Sequence, residues 1–244
     1  MNGESTTATE VDTLMTSLQE GLKQLTPRDR ILTASEILFA NQGFDAVSIR
    51  TITSVAQVNV ASLHYHFGSK EGLLEAIFTA KARPIAEARM QMLRVCKEEE
   101  GRPSLLIQIL EAFLRPALNS GQDEKYGGIA FARLRARLAV EPQDFSRRVL
   151  SAAFDDSSRA FVDALTRAVP HIPRRELEWR FHFLLGTMVY SMLDNGRIQS
   201  ITEGACDPRD GEETLRHLIP FLVAGFNAPL PAEPPLGRRS FPST

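Results

Sequence analysis

Apolar positions recur at helical spacing along almost the whole chain, and no convincing stretch alternates with the period of two that a strand requires. Val11, Leu14, Met15, Leu18, Leu22 and Leu25 form a first series and predict a short amphipathic helix that packs on the body. Pro27 then opens a second helix at a first-turn position, where its missing N–H costs nothing. Its stripe is Ile31, Ala34, Leu38 and Phe39, and Gly43 ends it. Ser48 suits the N-cap of a short helix with Ile49, Ile52 and Ala56 on one face. A third short helix runs from about Val60 to Phe67 and is broken by Gly68 and Ser69. Ser69 caps a long helix carrying Leu73, Leu74, Ile77 and Phe78, with Glu71 and Glu75 near its positive end. Pro84 is expected to kink that helix rather than end it, because the periodicity resumes at Ile85 and continues to Leu93.

Beyond the charged run 97–100 the pattern stays helical, over about 103–119, 126–140, 144–168, 173–195 and 211–225. Hinges are expected at Gly121, Gly127 and Gly128, Pro142, Pro170 and Pro173, and 196–208. Residues 1–9 are small and polar, and 228–244 hold five prolines; both read as disordered tails. The fold class is therefore all-α.

Three short helices, the last two joined by a tight turn, fit a helix-turn-helix. Close crossing of the second and third helices needs a small residue, supplied by Ala56, and the turn needs an apolar anchor, supplied by Val58. Leu63 and Phe67, four apart, bury one side of the third helix. That leaves Asn59, Ala61, Ser62 and His64 for a DNA major groove, where small residues permit close approach and Asn or Ser can bond base edges or phosphates. An ordinary three-helix packing without DNA contact is the competing explanation of the same pattern.

Charge sharpens this picture. The formal net charge is −2, yet Lys23 to Lys97 contain ten Lys/Arg against six Asp/Glu, a local +4. A basic segment on an acidic body fits a local polyanion contact. Cys96 and Cys206 show no metal-ligand or disulfide-framework spacing, and His64-x-His66 has no third ligand nearby, so no metal and no cofactor are expected. No membrane span or basic-then-apolar leader is visible, and a cytoplasmic location is expected.

Residues 28–78 resemble the DNA-binding domain of the tetracycline-repressor (TetR) family. The resemblance rests on Ala34 and Phe39, Gly43-Phe44, Ser48-Ile49 with Ile52, Ala56-x-Val58-Asn59, and Leu63-x-x-His66-Phe67-x-Ser69-Lys70-Glu71-x-Leu73. The run HYHFGSKEGLL is similar to that of a subgroup sensing fatty acyl thioesters and related metabolites. The chain departs from the family at Gln57, where Gly is common, at Asn59, where Ser or Thr is frequent, and at His64, where Tyr is usual. The resemblance implies that Ser48 and Arg50 touch phosphates and that Asn59, Ala61, Ser62 and His64 face the groove. It also implies that Tyr65 and His66 approach phosphate or support the helix, and that Lys70 meets phosphate. A purely structural role for His66 stays open.

The same resemblance implies a bacterial regulator that binds double-stranded operator DNA as a homodimer and is released by a small hydrophobic or acyl-type effector. Its organisation would be an N-terminal tail at 1–26, a helix-turn-helix domain at 27–72, an effector and dimerisation domain at 73–227 and a tail at 228–244. Phe113, Phe131, Phe183, Met188 and Met192 are candidate pocket residues, and Arg133 and Arg137, four apart, are candidates for an effector carboxylate or phosphate. The helix at 173–195 is apolar nearly all round, which fits burial between the core and a second subunit. An all-helical enzyme is disfavoured: no nucleophile elbow, metalloprotease or phosphate-loop motif is present, and Asp155, Asp156 and Asp194 stand apart from catalytic partners. A helical scaffold that binds protein is the remaining alternative.

Overall fold

The computed structural model describes residues 22, 24–98, 104–119, 128–140, 144–193 and 196–231. The expected tail at 1–9, residues 232–244 of the expected C-terminal tail, Asp194, and most of the expected helix from Val11 to Leu25 lie outside the described residues. Leu22 of that helix is helical and buried.

The helices are α1 (Pro27–Gln42), α2 (Ile49–Val55), α3 (Val60–Phe67), α4 (Lys70–Arg94) and α5 (Leu105–Leu118). They continue with α6 (Gly128–Val140), α7 (Asp144–Ala168), α8 (Arg174–Leu193), α9 (Arg197–Ile201) and α10 (Gly211–Phe226). The one-turn α9 falls in the segment expected to be a hinge.

Side chains set the helix starts. Thr26, Ser48, Asn59 and Ser69 each accept a hydrogen bond from the backbone N–H three residues on, satisfying donors that the first turn leaves free. The α3–α4 corner depends on two glycines. Gly68 adopts φ +73°, and a Cβ on Gly72 would lie 2.3 Å from the Phe67 carbonyl oxygen. α4 runs through Pro84 as one helix of 25 residues.

The apolar stripes close two cores. The lower one joins Ile31, Phe39, Ile52, Leu63, Leu74 and Phe78 of the first four helices to Phe131, Leu134 and Leu138 of α6 and Val149 of α7. The upper one gathers α5, α7, α8 and α10 around Phe113, Phe161, Leu184 and Phe226, and takes in Ala132 and Ala136 from the other side of α6. α6 thus serves both cores, and α4 carries the chain from the lower to the upper. The upper bundle is pinned by Glu212, which accepts hydrogen bonds from Arg115 and Asn119. The Arg115 hydrogen bond, then that of Asn119, holds the Glu212 carboxyl below its ordinary range.

No helix among the described residues is long and apolar enough to cross a membrane.

Candidate functional site

At one end of the molecule the short helix α3 is buried only through Leu63, with Phe67 half-buried beside it. Its other sides are open. Asn59, Ala61, His64, Tyr65 and His66 are exposed, Tyr65 at 85%, and Ser62 is half-buried. Ser48 and Arg50, at the start of α2, are also exposed.

Several of these side chains have structural partners. Asn59 Oδ1 accepts from Ser62 N at 2.7 Å and caps α3. His64 Nδ1 lies 2.7 Å from the Gly68 carbonyl oxygen, within the turn. The Tyr65 and His66 rings meet edge to face at 5.1 Å. Ser48 Oγ accepts from Thr51 N at 3.0 Å. Lys70 faces inward: Nζ donates to the carbonyls of Phe44 (2.9 Å) and Val47 (3.0 Å) and sits 4.3 Å from the Phe44 ring centroid. It therefore holds the turn that leads into Ser48 and Arg50, a role not apparent from its position in the sequence.

The structure adds two features to this face. Val60, the first residue of α3, is 40% exposed. Gln57 in the α2–α3 turn takes φ +52°, a left-handed conformation in which glycine carries no Cβ penalty. This accounts physically for the glycine common at that position in the resembling family.

The second candidate site is a cavity of about 450 Å³ in the upper body, within the usual range for small-molecule pockets. Its apolar wall includes Leu150, Phe154, Leu185, Val189, Met188 and Met192. The last two were expected there. The other expected pocket residues lie elsewhere. Phe113 is in the upper core, edge to face with Phe161 and Phe181 at 5.0 and 5.3 Å. Phe131 is in the lower core against Phe78 at 5.0 Å. Phe183 is 58% exposed on the outer side of α8.

Arg133 and Arg137 are half-buried and do not line the cavity; Arg137 Nη2 lies 3.5 Å from the Asn41 carbonyl oxygen at the end of α1. The cavity is lined instead by Arg135, between them in sequence, and by Arg89 of α4. Both are buried, at 5% and 2% exposure. Arg89 Nε donates to the Phe113 carbonyl at 2.8 Å, and its guanidinium carbon lies 3.8 Å from the Phe113 ring centroid. Arg135 Nη2 contacts the Ala117 carbonyl at 3.2 Å and Met192 Sδ at 2.7 Å, while Nε and Nη1 have no hydrogen-bond partner. Desolvation lowers both groups, Arg135 to about 10, and repulsion from Arg135 adds to the shift of Arg89.

α8 also borders a third surface, next to the cavity, whose lining Tyr190 shares. Its inner residues Leu177, Phe181, Leu184 and Met188 are buried, whereas Trp179, Phe183 and Tyr190 are each more than half exposed. α10 adds exposed Phe221 and, one turn on, Gly225, which borders a cleft with Trp179 and Phe183.

A helix-turn-helix with an exposed second helix, below a helical body with a cavity, defines a class of two-part helical proteins. Comparison with known proteins narrows it. Residues 31–77 match the family model described as bacterial regulatory proteins, tetR family, and residues 111–225 match the model described as tetracyclin repressor-like, C-terminal domain. Together they take in about two thirds of the chain, which belongs to the tetR family.

Among characterised relatives, the transcriptional repressor BdcR of Escherichia coli (strain K12) is 30% identical over 98 residues, covering 38% of this chain and 46% of BdcR. The match thus spans about half of that relative's length. The transcriptional regulator UidR of the same strain is 25% identical over 175 residues, covering 65% of this chain and 88% of UidR. The fold matches that of the fatty acid degradation regulator FadR from Bacillus halodurans, with a TM-score of 0.60 at 13% identity over 84% of this chain and 98% of FadR. It also matches the ketosteroid regulator KstR2 of Mycobacterium tuberculosis, with a TM-score of 0.59 at 15% identity over 82% of this chain and 94% of KstR2.

Proposed function

We propose that this chain is a homodimeric transcriptional repressor that binds operator DNA through α3 and is released when a small apolar effector enters the α4–α6–α7–α8 cavity. The observation that carries the reading is the continuity of α4. Its first turn abuts α3 and holds the α1–α2 turn through Lys70, and its last turns place Arg89 in the cavity wall.

On DNA, the exposed N-terminal end of α3 enters the major groove. Asn59, Ala61, Ser62 and His64 approach base edges, and Val60 is suited to a thymine methyl. Ser48, Arg50, Tyr65 and His66 contact phosphates, and the two N-termini at α2 and α4 add their free N–H groups. Lys70 contributes mainly by fixing the turn that carries Ser48 and Arg50.

Two reading helices must stand roughly 34–36 Å apart to meet successive major grooves of one duplex face. A second subunit docking on Trp179, Phe183, Tyr190 and Phe221 of α8 and α10 would set that spacing. All four are exposed aromatics, and the Trp179 and Phe183 rings lie 6.1 Å apart; exposed apolar groups of this kind mark an association surface. An effector that binds better to a different α4 position draws the population away from the DNA-competent spacing. The effector's apolar character is supported by the cavity wall and, more weakly, by relatives named for fatty acid and ketosteroid regulation.

Duplex binding measured across a salt series tests the reading. Binding is expected to weaken steeply, with log K falling linearly against log salt by close to one unit per phosphate contacted. Affinity for duplex DNA that is absent, or insensitive to salt, would return the protein to the scaffold alternative.

A further inference from the structure

Arg89 and Arg135 form an arrangement that folding alone does not explain. Two guanidinium groups line one small cavity, both are almost wholly removed from water, and neither forms a salt bridge with any described carboxylate. The one carboxylate in the lining, Asp155, is at the rim and already committed to Ser151 and Arg159. Elsewhere the same chain pairs its buried charges: Arg180 has Glu176 at 2.9 Å, and Glu36 has Lys81 at 3.8 Å. A buried unpaired charge is costly, and two of like sign in one cavity cost more.

What the two arginines do have is soft neutral support. Phe154 lies 5.7 Å from the Arg89 guanidinium carbon and 5.5 Å from that of Arg135, measured to its ring centroid. Met188 and Met192 sulfurs touch one each. Such contacts hold the cations in place without neutralising them, and Arg135 keeps two N–H-bearing atoms unpartnered.

We infer that the cavity takes an amphiphilic anion, with its oxyacid head group between Arg89 and Arg135 and its apolar body along Phe154, Leu185, Val189 and Leu193. This deepens the effector reading above and rests on it for the link to DNA, but the binding event itself is independent of that link. Carboxylates and phosphate monoesters share the required head-group chemistry. Since Arg89 is on α4 and Arg135 on α6, which packs on α1, one head group bridges the two helices that reach the DNA-binding core.

The test uses the full chain without DNA. Octanoate and 4-phenylbutyrate are compared with octanol and 4-phenylbutanol by calorimetry and thermal shift, with octyl phosphate as a separate arm. At least one anion is expected to bind tenfold or more tightly than its alcohol. The octyl phosphate arm tells a dianionic preference from a carboxylate preference. Arg135→Met and Arg89→Met are expected to erase the advantage of the anion.

Stability supplies a second readout. Because each substitution removes an unpaired buried charge, the ligand-free Arg135→Met protein is expected to melt at or above the parent temperature. A merely structural arginine would show the opposite. Equal binding of acids and alcohols, or an Arg135→Met protein that melts lower and keeps its anion preference, would overturn the inference. If anions bind as expected but leave a bound duplex in place, the anion site stands and the release mechanism falls.

Discussion

Gln57 turns the chain between α2 and α3 at φ +52°, where a side chain crowds the neighbouring carbonyl. Gln57→Gly is expected to relieve that crowding and raise stability by up to about 1 kcal/mol, less the backbone entropy glycine loses on folding. A lowered denaturation midpoint would mean that the Gln57 side chain makes a compensating contact. Asn59 combines a cap with an expected groove contact, so its roles must be separated by chemistry. Asn59→Ala should cost about 1 kcal/mol of stability through loss of the cap. Asn59→Asp keeps the cap but places a negative charge at the groove, so it should retain stability and lose DNA affinity. Equal affinity for the Asp variant and the parent would place residue 59 away from the DNA.

Arg135 illustrates how a residue's position on its helix can be read in advance. At about 100° per residue, Arg133 and Arg137 fall on the polar side of α6, whereas Arg135 falls within the arc of Phe131, Ala132 and Leu138. The four-residue spacing of Arg133 and Arg137 drew attention to the outer pair, when a charge inside an apolar arc was the stronger signal. Arg89 gave the same signal, continuing the stripe Phe78, Ala82, Ile85 on α4.

At the scale of elements, capping and periodicity made most helices legible: the starts of α1, α2 and α4 follow from Pro27, Ser48 and Ser69 as first-turn residue or side-chain acceptors, whereas the cap that Asn59 gives α3 emerges only in the structure. The one-turn α9 was not legible, because five residues are too few to express a helical period. The sharing of α6 between two cores was hidden too, since a sequence pattern gives a buried face but not the neighbour that buries it.

Lys70 ties α4 to the α1–α2 turn, and this separates its effect from that of Arg50. Lys70→Met should lower stability by about 2 kcal/mol, through loss of two charge-assisted hydrogen bonds to carbonyls, and weaken DNA binding with it. Arg50→Ala should leave the thermal midpoint within a degree or two, weaken binding to all duplexes, and reduce the salt slope by about one. Thermal melts and salt titrations on the two variants check both statements, and an unchanged slope for Arg50→Ala would remove its phosphate contact.

For the whole molecule, the account requires two chains to act together. The exposed aromatics Trp179, Phe183, Tyr190 and Phe221 are the proposed contact, and a charge among them should be prohibitive there while harmless to a monomer's core. Phe183→Asp is therefore expected to halve the sedimenting mass without loss of helicity. It should also weaken operator binding by orders of magnitude, because a single reading helix forfeits the tethered second contact. A Phe183→Asp protein that stays at parental mass would move the interface elsewhere.

The most direct measurement is selection of bound duplexes from a random pool by the purified full chain. The account predicts enrichment of a two-fold symmetric sequence whose half-sites are centred about 10–10.5 base pairs, or a multiple of that, apart. Failure to enrich any sequence over the starting pool would contradict operator recognition by α3, and enrichment of a single unrepeated half-site would contradict the dimer.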